Sequence, residues 1–151
     1  NIGIAWDTKD DLANYSRSIP LKFFLTLLKH TKIKLISLHK KSQNEKIMKN
    51  KKINKKILCF EQMDDDYKFG DTAALISNLD LVISIDTAIA HLSAAMGKET
   101  WILLPPHHDW RWSLKSKKTY WYKSVKLFRS KKSNDWQDIF INVFKKLKEI
   151  I

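Results

Sequence analysis

Three residues interrupt the otherwise small and apolar stretch ISIDTAIAHLSAAMGKETWILLP, residues 83–105: a carboxylate at Asp86, a hydroxyl at Thr87 and an imidazole at His91. If residues 81–85 form a strand and residues 87–96 a helix, Thr87 and Ala88 open that helix. Its first N–H groups lack intrahelical acceptors, so together with the Thr87 hydroxyl they would form a cradle for phosphate oxygens. Ala88 keeps the approach open, and His91, four residues after Thr87, lies one turn along on the same face. A carboxylate beside phosphate repels it, so Asp86 is expected to cap the helix or to accept from a hydroxyl. The structural alternative makes Asp86 a plain N-cap and His91 a hydrogen-bonded core histidine.

A second chemistry-bearing cluster, PPHHDWRW at 105–112, gathers two histidines, an acid, an arginine and two tryptophans. Trp110 or Trp112 could stack on a base or sugar, and Arg111 could neutralise phosphate. The structural alternative is an anchoring loop whose tryptophans plug the core. A metal site from His107, His108 and Asp109 is disfavoured, since adjacent side chains rarely converge on one ion. No Ser-His-Asp or Cys-His arrangement stands out.

The elements that must position these groups alternate. IGIAW (2–6) reads as a strand, RSIPLKFFLTLLKH (17–30) as a helix with Ser18 able to cap it, and IKLISL (33–38) as a strand. A lysine-rich helix around 42–49, the strand KILCF (56–60), a helix at 72–79 capped by Asp71, and strands at 81–85 and 100–104 follow. Gly97 is placed to close the helix between the last two. A short strand at 125–128 precedes a final helix, in which Trp136, Ile139, Phe140, Val143, Phe144, Leu147 and Ile150 recur at helical spacing. Short apolar strands alternating with helices predict an α/β fold: a Rossmann-like, mostly parallel six-stranded sheet with helices on both faces, forming one domain over 1–151. Ligands of such sheets bind beyond the carboxyl ends of the strands, which nominates the loops after residues 6, 38, 60, 85 and 104. With glycine only at 3, 70 and 97, no dinucleotide fingerprint or P-loop is present.

The balance of 28 Lys plus Arg against 16 Asp plus Glu, a formal net charge of +12, favours a polyanionic partner. Runs such as KNKKINKK (49–56) read as a solvated face. The arginines at 17, 111 and 129 are the better candidates for reading phosphate, because the guanidinium fork matches its oxygens. A lone cysteine, Cys59, excludes an internal disulfide and fits a reducing compartment. Neither a membrane-span-length apolar run nor a signal-peptide pattern is seen, which leads to a cytoplasmic expectation, with a basic face able to rest on a membrane.

The segment DTAALISNLDLVISIDTAIAHLSAAMGKETWILLP followed by DWRW resembles the C-terminal half of glycosyltransferase family nine, the ADP-heptose:lipopolysaccharide heptosyltransferase-like proteins. RSIPL, SLHK, WY and LFR extend the likeness over nearly the whole chain, and the version fused behind tetratricopeptide repeats in bacterial proteins is the nearest in look. The resemblance implies one half of a GT-B enzyme, binding a nucleoside-diphosphate sugar as donor, with no cofactor and no essential metal. It places Asp86, Thr87, Ala88 and His91 in the donor motif, Lys40 at the basic position after the second strand and Arg17 in the polar segment after the first. Asp7 and Arg111, in nominated loops, join the donor-binding set. So does His39, which stands where the family usually carries glutamine; Glu99 replaces the usual proline of GKP.

The acceptor-binding N-terminal half and its general base are expected outside this chain, which begins directly on a strand-like run as if cut from something longer. Alone, the piece would bind donor and transfer nothing. The rival expectation is a non-catalytic basic module of the same fold, docking nucleic acid or anionic membrane; of these partners, nucleic acid is the less favoured.

Overall fold

The central strands are short apolar runs buried on both faces, while the edge strands are partly open. In the computed structural model, which describes residues 1–8, 17–60, 68–113, 116, 119–133 and 135–151, the strands are β1 (Ile2–Ala5), β2 (Leu35–Ser37), β3 (Ile57–Leu58), β4 (Leu81–Ile85), β5 (Thr100–Leu104) and β6 (Val125–Arg129). They form one sheet in the order β3-β2-β1-β4-β5-β6, with every neighbouring pair parallel. The helices are α1 (Leu21–Leu25), continued by a 3₁₀ turn (Thr26–Lys29), α2 (Lys41–Met48), α3 (Lys51–Asn54), α4 (Gly70–Ser77), α5 (Ala88–Ala95) and α6 (Gln137–Lys148). The mostly parallel sheet expected from the sequence is parallel throughout.

Alternation along the strands sorts the core into two layers. Ile2, Ile4, Ile83, Ile85, Trp101 and Leu103 face the side packed by Phe24 and Leu27 of the α1 region, Ile47 of α2 and Ile139, Phe140, Val143 and Leu147 of α6. Each such side chain, fully buried, contributes about 1.5–3 kcal/mol. The opposite face packs Ile36, Leu38 and Val82 against Ile76 and Leu79, and Ile102 and Leu104 against Ala90 and Ala94 of α5. The small residues of α5 bring that helix close to the sheet. The β5–β6 connection offers, among the described residues, only a 3₁₀ turn (Trp110–Trp112), and the fully buried Trp112 fills the place beside α5.

Three local expectations are corrected. Ser18 does not cap α1, whose N-cap is Pro20; instead its hydroxyl accepts from the Thr8 N–H (3.1 Å) and donates to Asp7 (2.9 Å), tying together the two ends of the segment that leaves β1. Asp71 lies inside the first turn of α4, whose N-cap is Phe69 in the left-handed region (φ 55°). Asp86 is the residue before the N-cap of α5; Thr87 takes that place. Gly97 ends α5 at φ 74°, as its position implied. The acidic stretch EQMDDDYKFGD, residues 61–71, lies mostly outside the described residues. Glu99, in the place of the family's proline, accepts from Trp101 Nε1 (2.8 Å) and Lys126 Nζ (2.5 Å) at the start of β5. Burial alone would raise its carboxyl, but these two bonds and the charge of Lys126 hold it below the ordinary range. Among the described residues no helix is long and apolar enough to cross a membrane.

Gly3 is where the sheet tolerates least. A Cβ there would sit 2.4 Å from Leu79 Cδ1 and 2.8 Å from Leu38 Cδ1, both buried side chains. Gly3→Ala should therefore destabilise the fold by about 1–3 kcal/mol through overpacking, read as a lower urea midpoint with unchanged slope.

Candidate functional site

The strand order reverses its direction of growth between β1 and β4, so the crevice of the sheet opens beyond Ala5 and Ile85. Residues 6–8 and 86–88 line it from the two strands. Arg17 reaches across: its Nη1 donates to the Asp86 backbone carbonyl (3.3 Å) and lies 3.7 Å from Asp86 Oδ2. From the other side His91 Nε2 lies 3.6 Å from Asp86 Oδ1. Both side-chain separations are ion-pair distances, longer than hydrogen bonds. The carboxylate is 5% exposed, whereas Arg17 is 43% and His91 30% exposed. A buried carboxylate thus stands behind a guanidinium and an imidazole that both reach solvent.

Thr87 is extended (φ −146°, ψ 170°), and its side chain makes no capping bond to the helix it opens. Its hydroxyl instead lies 3.3 Å from that of Ser84, which is buried and donates to the Ile85 carbonyl (2.7 Å). A threonine at this position ordinarily satisfies one first-turn N–H. Here the first-turn donors of α5 are left for another acceptor. His91 is held on two further sides, by Tyr122 OH at 3.0 Å from Nδ1 and by the Trp112 ring stacked at 5.0 Å and 28°.

The remaining residues named from the sequence fall into different roles. Asp7 accepts from Ser18, and its N–H, with that of Trp6, donates to His39 Nε2 at 3.3 and 3.0 Å. Two donors on Nε2 leave Nδ1 to carry the ring proton. His39 is buried edge-on to Trp6, so its ring is spent on holding the end of β1. Lys40 follows β2, with its ammonium 5.7 Å from the Phe69 ring centroid. Arg111 closes a two-pronged pair on Asp109 (2.9 and 3.0 Å). The Asp109 carboxyl is held below the ordinary range chiefly by the Arg111 backbone N–H, then by the guanidinium, with the His91 charge adding to it. Of the two tryptophans considered for stacking, Trp112 is buried against His91 and Trp110 is 76% exposed.

Sequence reasoning missed three supports. Tyr122 was quoted only as part of a motif, and nothing in its spacing ties it to His91. Asn44, inside a lysine-rich helix, accepts from the Ser37 hydroxyl (2.6 Å) and donates to the His39 carbonyl (2.8 Å), pinning the end of β2. Arg129, at the end of β6, donates to the carbonyls of Trp112, Ser113 and Ser116 and lies 3.4 Å from His108 Nε2. Burial pulls its guanidinium below the ordinary value. The arginine-to-phosphate pattern could not reveal that this arginine serves backbone oxygens.

Among the described residues no three His, Cys, Asp or Glu side chains gather as a metal site. A hollow of about 600 Å³ lies beside α5, bounded by Ala94, Gly97, Trp121, Tyr122 and Lys123, and one of about 590 Å³ opens at the β2–β3 edge. Neither contains Asp86, Thr87 or Arg17. The chemistry points to the strand ends instead, where charge and free helix donors coincide.

These observations define a Rossmann-like α/β domain with an anion-receptive crevice at its switch point. The pattern of glycosyltransferase family 9 (heptosyltransferase) matches residues 26–135. The chain belongs to that family. Its fold is similar to E. coli heptosyltransferase WaaC with ADP (TM-score 0.69, 17% identity, 99% of this chain and 43% of that one). It is likewise similar to E. coli ADP-heptose lps heptosyltransferase II (0.70, 14%, 99% and 45%) and to a family 9 glycosyl transferase from Veillonella parvula (0.58, 14%, 99% and 38%). The chain spans less than half the length of these structures. No curated protein matches it. These findings lend the rival reading, a basic docking module, no support.

Arg129 is the clasp of the loop that carries Trp112. Arg129→Ala should cost about 2–4 kcal/mol by stranding backbone acceptors that a charged donor now serves, and Arg129→Lys should recover little of it because the fork is lost. Chemical denaturation measures the cost, and faster amide exchange at residues 107–113 localises it.

Proposed function

We propose that this domain binds the donor of a glycosyltransferase reaction, a nucleoside-diphosphate sugar, and transfers a glycosyl group when joined to an acceptor-binding half that supplies the general base. The observation that carries the reading is the arrangement at the head of α5: uncapped helix donors and the Thr87 hydroxyl beside the Arg17 guanidinium and the His91 imidazole, with the Asp86 carboxylate buried behind them. Diphosphate is the ligand chemistry that uses all of these at once. Support comes from E. coli WaaC, whose structures were determined with ADP and with ADP-2-deoxy-2-fluoro heptose.

In this reading the 87–88 backbone and Thr87 Oγ1 hold phosphate oxygens, while Arg17 and His91 oppose the negative charge that develops on the leaving diphosphate. Asp86 does not touch phosphate; it holds the two cations, and its carboxylate edge is left for a sugar hydroxyl. Lys40 adds positive charge from the neighbouring strand end. Helix dipole and side-chain cations supply the stabilisation, with no essential metal, and inversion at the sugar carbon follows the family pattern. A cytoplasmic setting and fusion to tetratricopeptide repeats, or to a second Rossmann-like half, complete the proposal. Placing this chain as the C-terminal half also accounts for the open crevice, as one wall of a two-sided cleft.

Calorimetry with ADP, UDP and GDP tests it. The parent should bind at least one of them with Kd below about 1 mM, a free energy beyond about −4 kcal/mol. Thr87→Ala and Arg17→Ala should each weaken binding about tenfold or more, the size of a hydrogen bond to a charged group. Heat from none of the three nucleotides at that concentration would remove the donor-site reading.

A further inference from the structure

His91 is gripped from every element around it. Asp86 faces Nε2 from the end of β4, and Arg17 stands on the far side of that carboxylate. Asp109, paired with Arg111, feels the His91 charge from the loop after β5. Trp112 covers one ring face. Among the described residues only Tyr122, in the segment entering β6, is hydrogen-bonded to Nδ1, at 3.0 Å, with its own ring 5.8 Å away and edge-on. The Asp86 carboxylate, 3.6 Å from Nε2, favours an N–H at that atom over a bare nitrogen. The two states then differ at Nδ1 alone: neutral, it accepts from the Tyr122 hydroxyl; protonated, it donates to it. A hydroxyl is the partner that can serve both ways, by rotating.

Resting on the donor-site reading above, we propose that Tyr122 is the positioning residue of the site. It holds the His91 ring beside the crevice with Nε2 toward Asp86, and lets the ring take up a proton when diphosphate arrives without losing its hydrogen bond. The hydroxyl thereby favours the form of His91 that an anion needs. Removing it withdraws the acceptor that the described residues offer to Nδ1–H of the protonated ring, and a hydrogen bond to a charged group is worth more than one to a neutral group. Tyr122→Phe therefore penalises the charged ring more than the neutral one.

Two readouts test this. Long-range nitrogen–proton NMR of the His91 ring, assigned by its disappearance in His91→Gln, follows ring protonation with no nucleotide present. The Tyr122→Phe ring should release its proton at lower pH than the parent, by about one pH unit. Calorimetry with ADP at pH about 5.5 and about 8, either side of the range in which imidazoles titrate, then compares parent and variant. The ratio of their affinities cancels the protonation of the nucleotide itself. The loss in Tyr122→Phe should be roughly tenfold at the higher pH and should shrink toward none at the lower, whereas His91→Gln, with no ring to charge, should show the opposite trend and lose most at the lower pH. An unchanged ring titration, or an equal loss at both pH values, overturns the positioning role and reduces Tyr122 to packing. A shifted titration in a protein that binds no nucleotide keeps the positioning role and removes the donor-site reading instead.

Discussion

Parallel pairing of β1 with β4, Ile4 beside Ile83 and Ala5 beside Ser84, is the contact on which the crevice depends. These strands are far apart in sequence, and the chain turns outward in opposite directions from them: toward β2 and β3 on one side, β5 and β6 on the other. Their carboxyl ends are therefore left without a connection crossing between them, and the loops at residues 6–8 and 86–88 diverge around an opening. Gly3 keeps the pairing compatible with Leu38 and Leu79 packed directly above it. A larger side chain there would disturb the sheet at the point that sets the spacing of the site.

Electrostatics then decides what the opening accepts. A carboxylate near a helix N-terminus is favourable for the helix and unfavourable for an incoming anion. The fold resolves the conflict by burying Asp86 and turning its two partners outward, so the surface carries a guanidinium and an imidazole even though the motif contains an acid. Around this core the β5–β6 connection acts as a brace: Arg129 binds its carbonyls, Trp112 stacks on His91, and Tyr122 reaches His91 from the returning strand. Trp112 and Tyr122, with Arg129 acting through the Trp112 carbonyl, thus hold one imidazole.

The sheet was legible because its strands are continuous apolar runs with clear breaks; β4 and β5 fall on the residues expected. The head of α5 was legible for a similar reason, since a polar triplet in an apolar stretch has few structural uses. What pattern could not supply was the partner of each polar group. Asp86 looked like a cap because it precedes a helix, yet Thr87 occupies that position and Asp86 turns back toward Arg17, 69 residues away in sequence. Ser18 and Asp71 were misassigned for the same reason: capping is a local rule, and in both places the backbone started the helix elsewhere. His39, Arg111 and Arg129 carry the right chemistry for a ligand but are engaged inside the protein, at Trp6 and Asp7, at Asp109 and at the Trp112 carbonyl respectively. Long-range polar pairing is the level at which sequence spacing is silent.

The central claim is that the head of α5, between β1 and β4, is the phosphate site. A structure of this chain with ADP tests it directly. The account predicts the diphosphate within hydrogen-bond reach of the Thr87 hydroxyl and the Ala88 N–H, flanked by Arg17 and His91, with Asp86 off the phosphate oxygens. Nucleotide seated instead in the hollow between Gly97 and Trp121, with the α5 N-terminus untouched, would contradict it.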